Sequence, residues 1–175
     1  MRLFTAINFS QSMRQSLMEL QVKLQRQALR GNFSRPENLH LTLVFLGECR
    51  AGGLGEIKTA LTNCLFEPFA LLVDGVSRFS GRKGDTWIAD LADCPGLVDL
   101  QHRQVKALAS IGLELERRRY RPHITLAREV VLESVPWPWL IEPFGQIVES
   151  VELMISERKD GRLTYTSIHQ VEAGS

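Results

Sequence analysis

An α+β fold, with helices packed on antiparallel sheets, is the architecture that this 175-residue sequence predicts. Short β-branched segments outnumber helical ones, each helical segment carries a single apolar stripe, and no strict β-α-β succession calls for a parallel sheet. The length suits one compact domain over residues 1–175.

The elements follow in order. Residues 2–9 (RLFTAINF) read as a strand. Ser10 or Ser12 then caps a helix over about 11–29, where Met13, Leu17, Leu20, Leu24 and Ala28 recur at helical spacing and Gly31 supplies the stop. A strand over 39–47 is followed by Gly52, Gly53 and Gly55, which turn the chain into a second helix near 54–65. No Gly-Lys-Ser/Thr follows those glycines, so they are not a phosphate-binding P-loop. Residues 68–79 and 84–91 form a hairpin around Ser80-Gly81-Arg82-Lys83-Gly84, with Trp87 on the returning strand. A third helix over 95–112 aligns Leu97, Leu100, Val105, Leu108 and Ile111. The basic run Arg117-Arg118-Arg119-Tyr120-Arg121 leads into a strand over 122–128. After the connection Pro136-Trp137-Pro138-Trp139, residues 144–157 and 163–169 are two last strands joined near Asp160-Gly161.

Composition narrows the function classes. An apolar fraction of 44% and a charged fraction of 23% are those of a globular chain rather than a disordered or fibrous one. No run of about 18 apolar residues could span a bilayer, and the N-terminus lacks the features of a secretory signal, so a cytoplasmic protein with no membrane contact is expected. Cys49, Cys64 and Cys94 include no C-x-x-C pair, and His40, His102, His123 and His169 include no compact ligand spacing, so neither a disulfide framework nor a metal is indicated. With a net charge of +1, contact with a polyanion must rest on a local patch such as the one at 117–121.

The chemistry-bearing pattern is His-x-Thr-x, present twice as His40-Leu41-Thr42-Leu43 and His123-Ile124-Thr125-Leu126. Side chains alternate along a strand, so each copy presents an imidazole and a hydroxyl on one face. Arg35-Pro36 precedes the first copy and Arg121-Pro122 the second, as in a diverged internal duplication whose halves each give a strand to a shared cleft. A lone histidine on a strand is more often structural than catalytic. Two such strands face to face would supply two groups that titrate near neutral pH and two hydroxyl donors, which suits acid and base work on a phosphate ester.

The segments HLTLVFLG from His40 and RPHITLAR from Arg121 resemble the paired motifs of the two-histidine phosphoesterase superfamily, specifically the RNA 2',3'-cyclic phosphodiesterases, also called 2'-5' RNA ligases. The similarity extends to Arg2-Leu3-Phe4-Thr5-Ala6-Ile7, to Glu37-Asn38-Leu39 and to a final Gly161-x-x-x-Tyr165. It implies two pseudo-symmetric α+β lobes of antiparallel sheet with the active site in the groove between them. It further implies that His40 is the proton donor and His123 the proton acceptor, that Thr42 and Thr125 hold the phosphoryl oxygens, and that Arg128 lies at the phosphate. Strict alternation objects to the last of these, setting Arg128 on the opposite face from His123 unless the strand ends or bulges there. Arg119 and Arg121 have the matching parity and are further candidates for substrate binding. Phe9, Phe45 and Trp87 are either core residues or stacking surfaces for a terminal base.

The implied substrate is RNA ending in a 2',3'-cyclic phosphate, tRNA fragments among them, hydrolysed to a 2'-phosphate by a monomer that needs no cofactor and no metal. Reversal would give ATP-independent 2'-5' ligation. A phosphodiesterase of a small cyclic nucleotide or a 2'-5' oligoadenylate, and a non-catalytic RNA-end binding module, are the competing readings.

Overall fold

The computed structural model describes residues 1–134 and 139–174. In chain order these form β1 (Arg2–Asn8), α1 (Gln11–Gln25), β2 (Ala28–Phe33), β3 (His40–Glu48), α2 (Leu54–Thr62), β4 (Phe69–Phe79), β5 (Asp85–Leu91), α3 (Pro95–Ser110), β6 (His123–Leu132), β7 (Phe144–Val148), β8 (Ser150–Lys159) and β9 (Arg162–Glu172). The strands run in the order β7-β4-β5-β6-β3-β1-β8-β9, with β2 added beside β6. Every pairing between named strands is antiparallel.

The sheet divides at its centre. β3 and β6, the two motif strands, share one ladder position, Leu41 opposite Ile124. On either side lies a four-stranded arm, β3-β1-β8-β9 and β6-β5-β4-β7. In each arm the motif strand pairs with a strand that a helix connects to it: β1 reaches β3 through α1, and β5 reaches β6 through α3. The predicted α+β architecture with two pseudo-symmetric lobes is thus present, and the seam between them runs through the motifs.

Several boundaries differ from the sequence reading: β6 runs on to Leu132, β9 spans Arg162–Glu172 and α3 ends at Ser110. The first helix ends at Gln25, and residues 28–33, read there as helix and stop, form β2. Tertiary pairing overrides local propensity here: β2 covers the edge that β6 leaves open beyond the seam, and a Cβ at Gly31 would sit 3.0 Å from Val130 Cγ2. The segment 144–157 is two strands. Glu149 is where the chain leaves β7, paired with β4, for β8, paired with β1 and β9. The second helix stops at Thr62. The turn at Asp160-Gly161 holds two successive positive φ values (50° and 74°), the backbone a two-residue hairpin demands. Pro136, Trp137 and Pro138 lie outside the described residues. No helix among the described residues is long and apolar enough to cross a membrane.

One apolar core runs through both arms, from Met13, Leu17 and Leu24 on α1 to Leu97, Leu100 and Leu108 on α3. Phe9 and Trp87 belong to it, and Trp139 stacks on Trp87 with centroids 5.5 Å apart. A second small cluster of Phe4, Ala6 and Met154, with Tyr165 against it, lines the opposite face of the first arm. The helices cross over: α1 packs on β6 and β7, and α3 touches β3.

Both motif strands bulge at the same place. Thr42 and Val44 oppose the consecutive residues Ala6 and Thr5, leaving Leu43 extra. Thr125 and Ala127 oppose Ile88 and Trp87, leaving Leu126 extra. Leu43 and Val44 are consequently both buried, as are Leu126 and Ala127. Buried polar groups satisfy the interrupted ladders. Val44 N–H donates to Thr5 Oγ1 at 3.1 Å, and the Thr5 hydroxyl donates to Gln104 Oε1 of α3 at 2.7 Å. Gln21 Nε2 of α1 donates to the carbonyls of Leu126 (2.8 Å) and Ser34 (2.7 Å). The Leu126 carbonyl also accepts from the Ser34 N–H at 2.9 Å, so the carbonyl that would lose its donor with Gln21 is that of Ser34, at a cost of about 1–3 kcal/mol. Gln21→Leu should accordingly lower the unfolding free energy by about 1–3 kcal/mol in urea titration, and a change inside the error of the measurement would mean that the Ser34 carbonyl does not need this donor.

Candidate active site

The seam brings the two motifs together. His40 opens β3 and His123 opens β6, so each histidine is preceded by a turn whose backbone can reach its ring. His40 Nδ1 lies 2.7 Å from the Asn38 carbonyl, and His123 Nδ1 lies 2.8 Å from the Arg121 carbonyl. A carbonyl only accepts, so each ring carries its proton on Nδ1 and leaves Nε2 for chemistry. His40 Nε2 is 3.0 Å from Thr42 Oγ1. His123 Nε2 has no hydrogen-bond partner among the described residues.

Two hydroxyls tie the motif strands in place from across the seam. Tyr120 Oη donates to the Thr42 carbonyl at 3.0 Å, and Ser34 Oγ donates to the Thr125 carbonyl at 2.9 Å. Each of these residues stands immediately before one of the Arg-Pro pairs, Arg35-Pro36 and Arg121-Pro122. Proline at the start of the short 3-10 turn Pro36–Asn38 sets the backbone that aims the Asn38 carbonyl at His40.

The bulges decide what else faces the groove. One extra residue in each strand inverts the alternation, so the fifth residue after each histidine joins the histidine's own face. On β6 that residue is Arg128. The objection from strict alternation therefore does not hold: Arg128 is exposed, and its charge is among those acting on His40. On β3 the equivalent residue is Phe45, 55% exposed, with its ring 6.2 Å from that of Phe4. Arg119 and Arg121 both precede β6. The Arg121 guanidinium lies 4.5 Å over the Phe79 ring, and that ring meets His123 edge-on at 5.3 Å. Arg119 is exposed and makes no such contact with the site.

The two imidazoles stand in different surroundings. His40 is wedged between Phe4 and Tyr165, each with its ring centroid 5.0 Å away. Burial lowers its pKa below the ordinary 6.5, the Asn38 carbonyl opposes that shift, and the nearby charges of Arg128 and His123 reinforce it. Burial likewise pushes the Tyr120 phenol up, which keeps its hydroxyl a donor. Sequence reasoning missed Ser34, Tyr120, Phe79 and the two buried glutamines. The hydroxyl-Arg-Pro order shared by the first two was the available signal, whereas Phe79, Gln21 and Gln104 carry none.

Comparison with known proteins agrees with this geometry. The family described as LigT like Phosphoesterase matches residues 7–87, which include the first motif. The RNA 2',3'-cyclic phosphodiesterase of Archaeoglobus fulgidus is 30% identical over 131 residues, 73% of this chain and 72% of the relative. The enzyme of the same name from Aeropyrum pernix is 29% identical over 148 residues, 79% of this chain and 84% of the relative. Among solved structures, Escherichia coli LigT complexed with 3'-AMP superposes with a TM-score of 0.85 at 25% identity, covering 99% of this chain and 98% of that one. TT0787 of Thermus thermophilus does so with a TM-score of 0.80 at 26% identity, covering 98% and 97%. With both His-x-Thr-x strands at its seam and relatives of this kind over most of its length, the chain belongs to the LigT-like phosphoesterase family.

Proposed function

We propose that the groove hydrolyses the 2',3'-cyclic phosphate at an RNA end to a 2'-phosphate, with His123 as base and His40 as acid. The observation that carries this reading is the pair of imidazoles, each fixed at Nδ1 by a backbone carbonyl, with an arginine turned onto their face by a bulge. His123 Nε2 takes a proton from water as the oxygen attacks phosphorus. The P–O3' bond breaks, and His40 Nε2–H delivers a proton to the departing O3'. Thr42 and Thr125 donate to the non-bridging oxygens, where the Arg128 guanidinium adds a charge-assisted bond. Of Phe9, Phe45 and Trp87, only Phe45 is exposed, and it is assigned to the terminal base. The relatives named RNA 2',3'-cyclic phosphodiesterase and the 3'-AMP held by E. coli LigT support a nucleotide substrate. With a 5'-hydroxyl in place of water as the nucleophile, the same forward steps form a P–O5' bond, break the P–O3' bond and join the ends by a 2'-5' linkage, driven by the strain of the ring.

The direct test incubates purified protein, in excess EDTA, with a short RNA ending in a 2',3'-cyclic phosphate. A 2'-phosphate should appear, and His40→Ala and His123→Ala should each lower the rate by about 10²- to 10⁴-fold with the fold intact by circular dichroism. A 3'-phosphate product, or variants as active as the parent, would overturn the assignment.

The pH dependence has a definite sign. An acid must be protonated, and burial keeps the free-enzyme pKa of His40 below 6.5, so kcat/KM should fall on the alkaline side as its protonated fraction disappears. A bound phosphate anion favours the imidazolium, so the alkaline limb of kcat should lie at higher pH than that of kcat/KM. Arg128→Gln removes a cation that lowers the pKa of His40, and NMR titration of the imidazole should find that pKa raised in the variant.

A further inference from the structure

The aromatic wall of the first arm contains a group that the proposed mechanism does not use. Tyr165 lies on β9, three strands from β3, and at about 4.8 Å per strand a flat sheet would hold the two backbones about 14 Å apart. Curling of the sheet brings the rings together instead. Tyr165 meets the His40 imidazole edge-on at 84° and the Phe4 ring at 76°, with both centroids 5.0 Å away. β9 grips the same half-site a second time: the Leu163 carbonyl, two residues earlier, accepts from Asn38 Nδ2 at 3.0 Å and also from Arg35. Asn38 is the residue whose backbone carbonyl sets the His40 tautomer.

The far end of Tyr165 points to a ligand. Its hydroxyl has no hydrogen-bond partner among the described residues and is not shut away from solvent. Burial pushes the phenol pKa up while the charges of Arg128 on β6 and Arg2 on β1 pull it back, so the group is a protonated donor at neutral pH within the field of two cations. A donor that feels the charge of arginines on two strands, with no acceptor of its own among the described residues, suits an anion.

We propose that Tyr165 completes the His40 half of the site: its ring holds the imidazole in position, and its hydroxyl donates a hydrogen bond to a phosphoryl oxygen of the bound nucleotide. This rests on the phosphodiesterase reading for the identity of the ligand. The groups facing His40 are Arg128 and His123 from β6, Tyr165 from β9 and the Thr42 hydroxyl of its own strand, together with the backbone of Asn38 and the uncharged Phe4 from β1. Among these the rings of Phe4 and Tyr165 shield the imidazole without charging it, and Tyr165 is the one of the two that carries a hydroxyl.

The test uses full-length Tyr165→Phe and Tyr165→Leu, with adenosine 2'-monophosphate as the probe, calorimetry for its affinity and NMR titration for His40. Tyr165→Phe keeps the ring and should weaken the nucleotide by about 10-fold, the effect of one hydrogen bond to a charged group, while His40 titrates as in the parent. Tyr165→Leu should weaken it equally, move the His40 titration up toward 6.5 as water reaches the ring, and lower kcat with cyclic-phosphate RNA. Unchanged affinity in Tyr165→Phe, or a parent that does not bind the nucleotide, overturns the role of the hydroxyl. An unmoved His40 titration in Tyr165→Leu overturns the role of the ring. Affinity and titration need no turnover, so a parent that binds the nucleotide yet leaves cyclic-phosphate RNA intact would reject the phosphodiesterase reading separately.

Discussion

Which side chains join the histidines and threonines at the groove depends on the extra residues Leu43 and Leu126 in the motif strands. Without the bulges at Leu43 and Leu126, Phe45 and Arg128 would turn to the opposite face and the groove would lose its arginine. A bulge leaves backbone groups out of the ladder, and in a buried sheet those groups need partners. Gln21 supplies one on β6, and Thr5 with Gln104 supplies the other on β3. Gln21 and Gln104, buried among mostly apolar side chains, thus serve strands whose His and Thr side chains lie on the other face of the sheet. Each comes from a helix that crosses to meet the other arm, which makes the two halves mutually dependent.

The pseudo-symmetry is mechanically complete and chemically broken. Both histidines are locked by a carbonyl two residues back, and both threonine carbonyls are held by a hydroxyl from beyond the seam. What differs is the company each imidazole keeps. His40 is enclosed by Phe4 and Tyr165, whereas His123 has Phe79 at its edge and an Nε2 without a hydrogen-bond partner among the described residues. Acid and base catalysis in one step would need one imidazole protonated and the other neutral, and the burial of His40 works against its holding the proton until an anion is bound. Substitution at the fifth position carries the divergence further, an aromatic ring on one strand and a guanidinium on the other.

Much of this was legible in the sequence. The period-two pattern of the motif strands, the single apolar stripes of the helices and the Asp160-Gly161 turn are local signals, and the structure has an element at each. Where signals depend on distant partners the reading failed. Residues 28–33 contain no strong strand pattern and become β2 because β6 has an edge to cover. The break at Glu149 cannot be seen in a segment that is β-prone on both sides of it. Phe9, Phe45 and Trp87 looked alike as aromatic residues in strands, and only packing separates the exposed Phe45 from the two in the core.

By itself the sequence determined where the two His-x-Thr-x strands lie and that each sets its histidine and threonine on one face, because side-chain identity and the alternation of a strand are local properties. It also determined that there are two half-sites, since the His-x-Thr-x and Arg-Pro pairs are both written twice. Only the tertiary structure decided that Arg128 turns into the groove, that Tyr165 reaches His40 across three strands, and that the two imidazoles differ. Those outcomes depend on a ladder slip between β5 and β6, on the curl of the sheet and on the exclusion of water. Each is a relation between segments far apart in the chain, on which local pattern is silent.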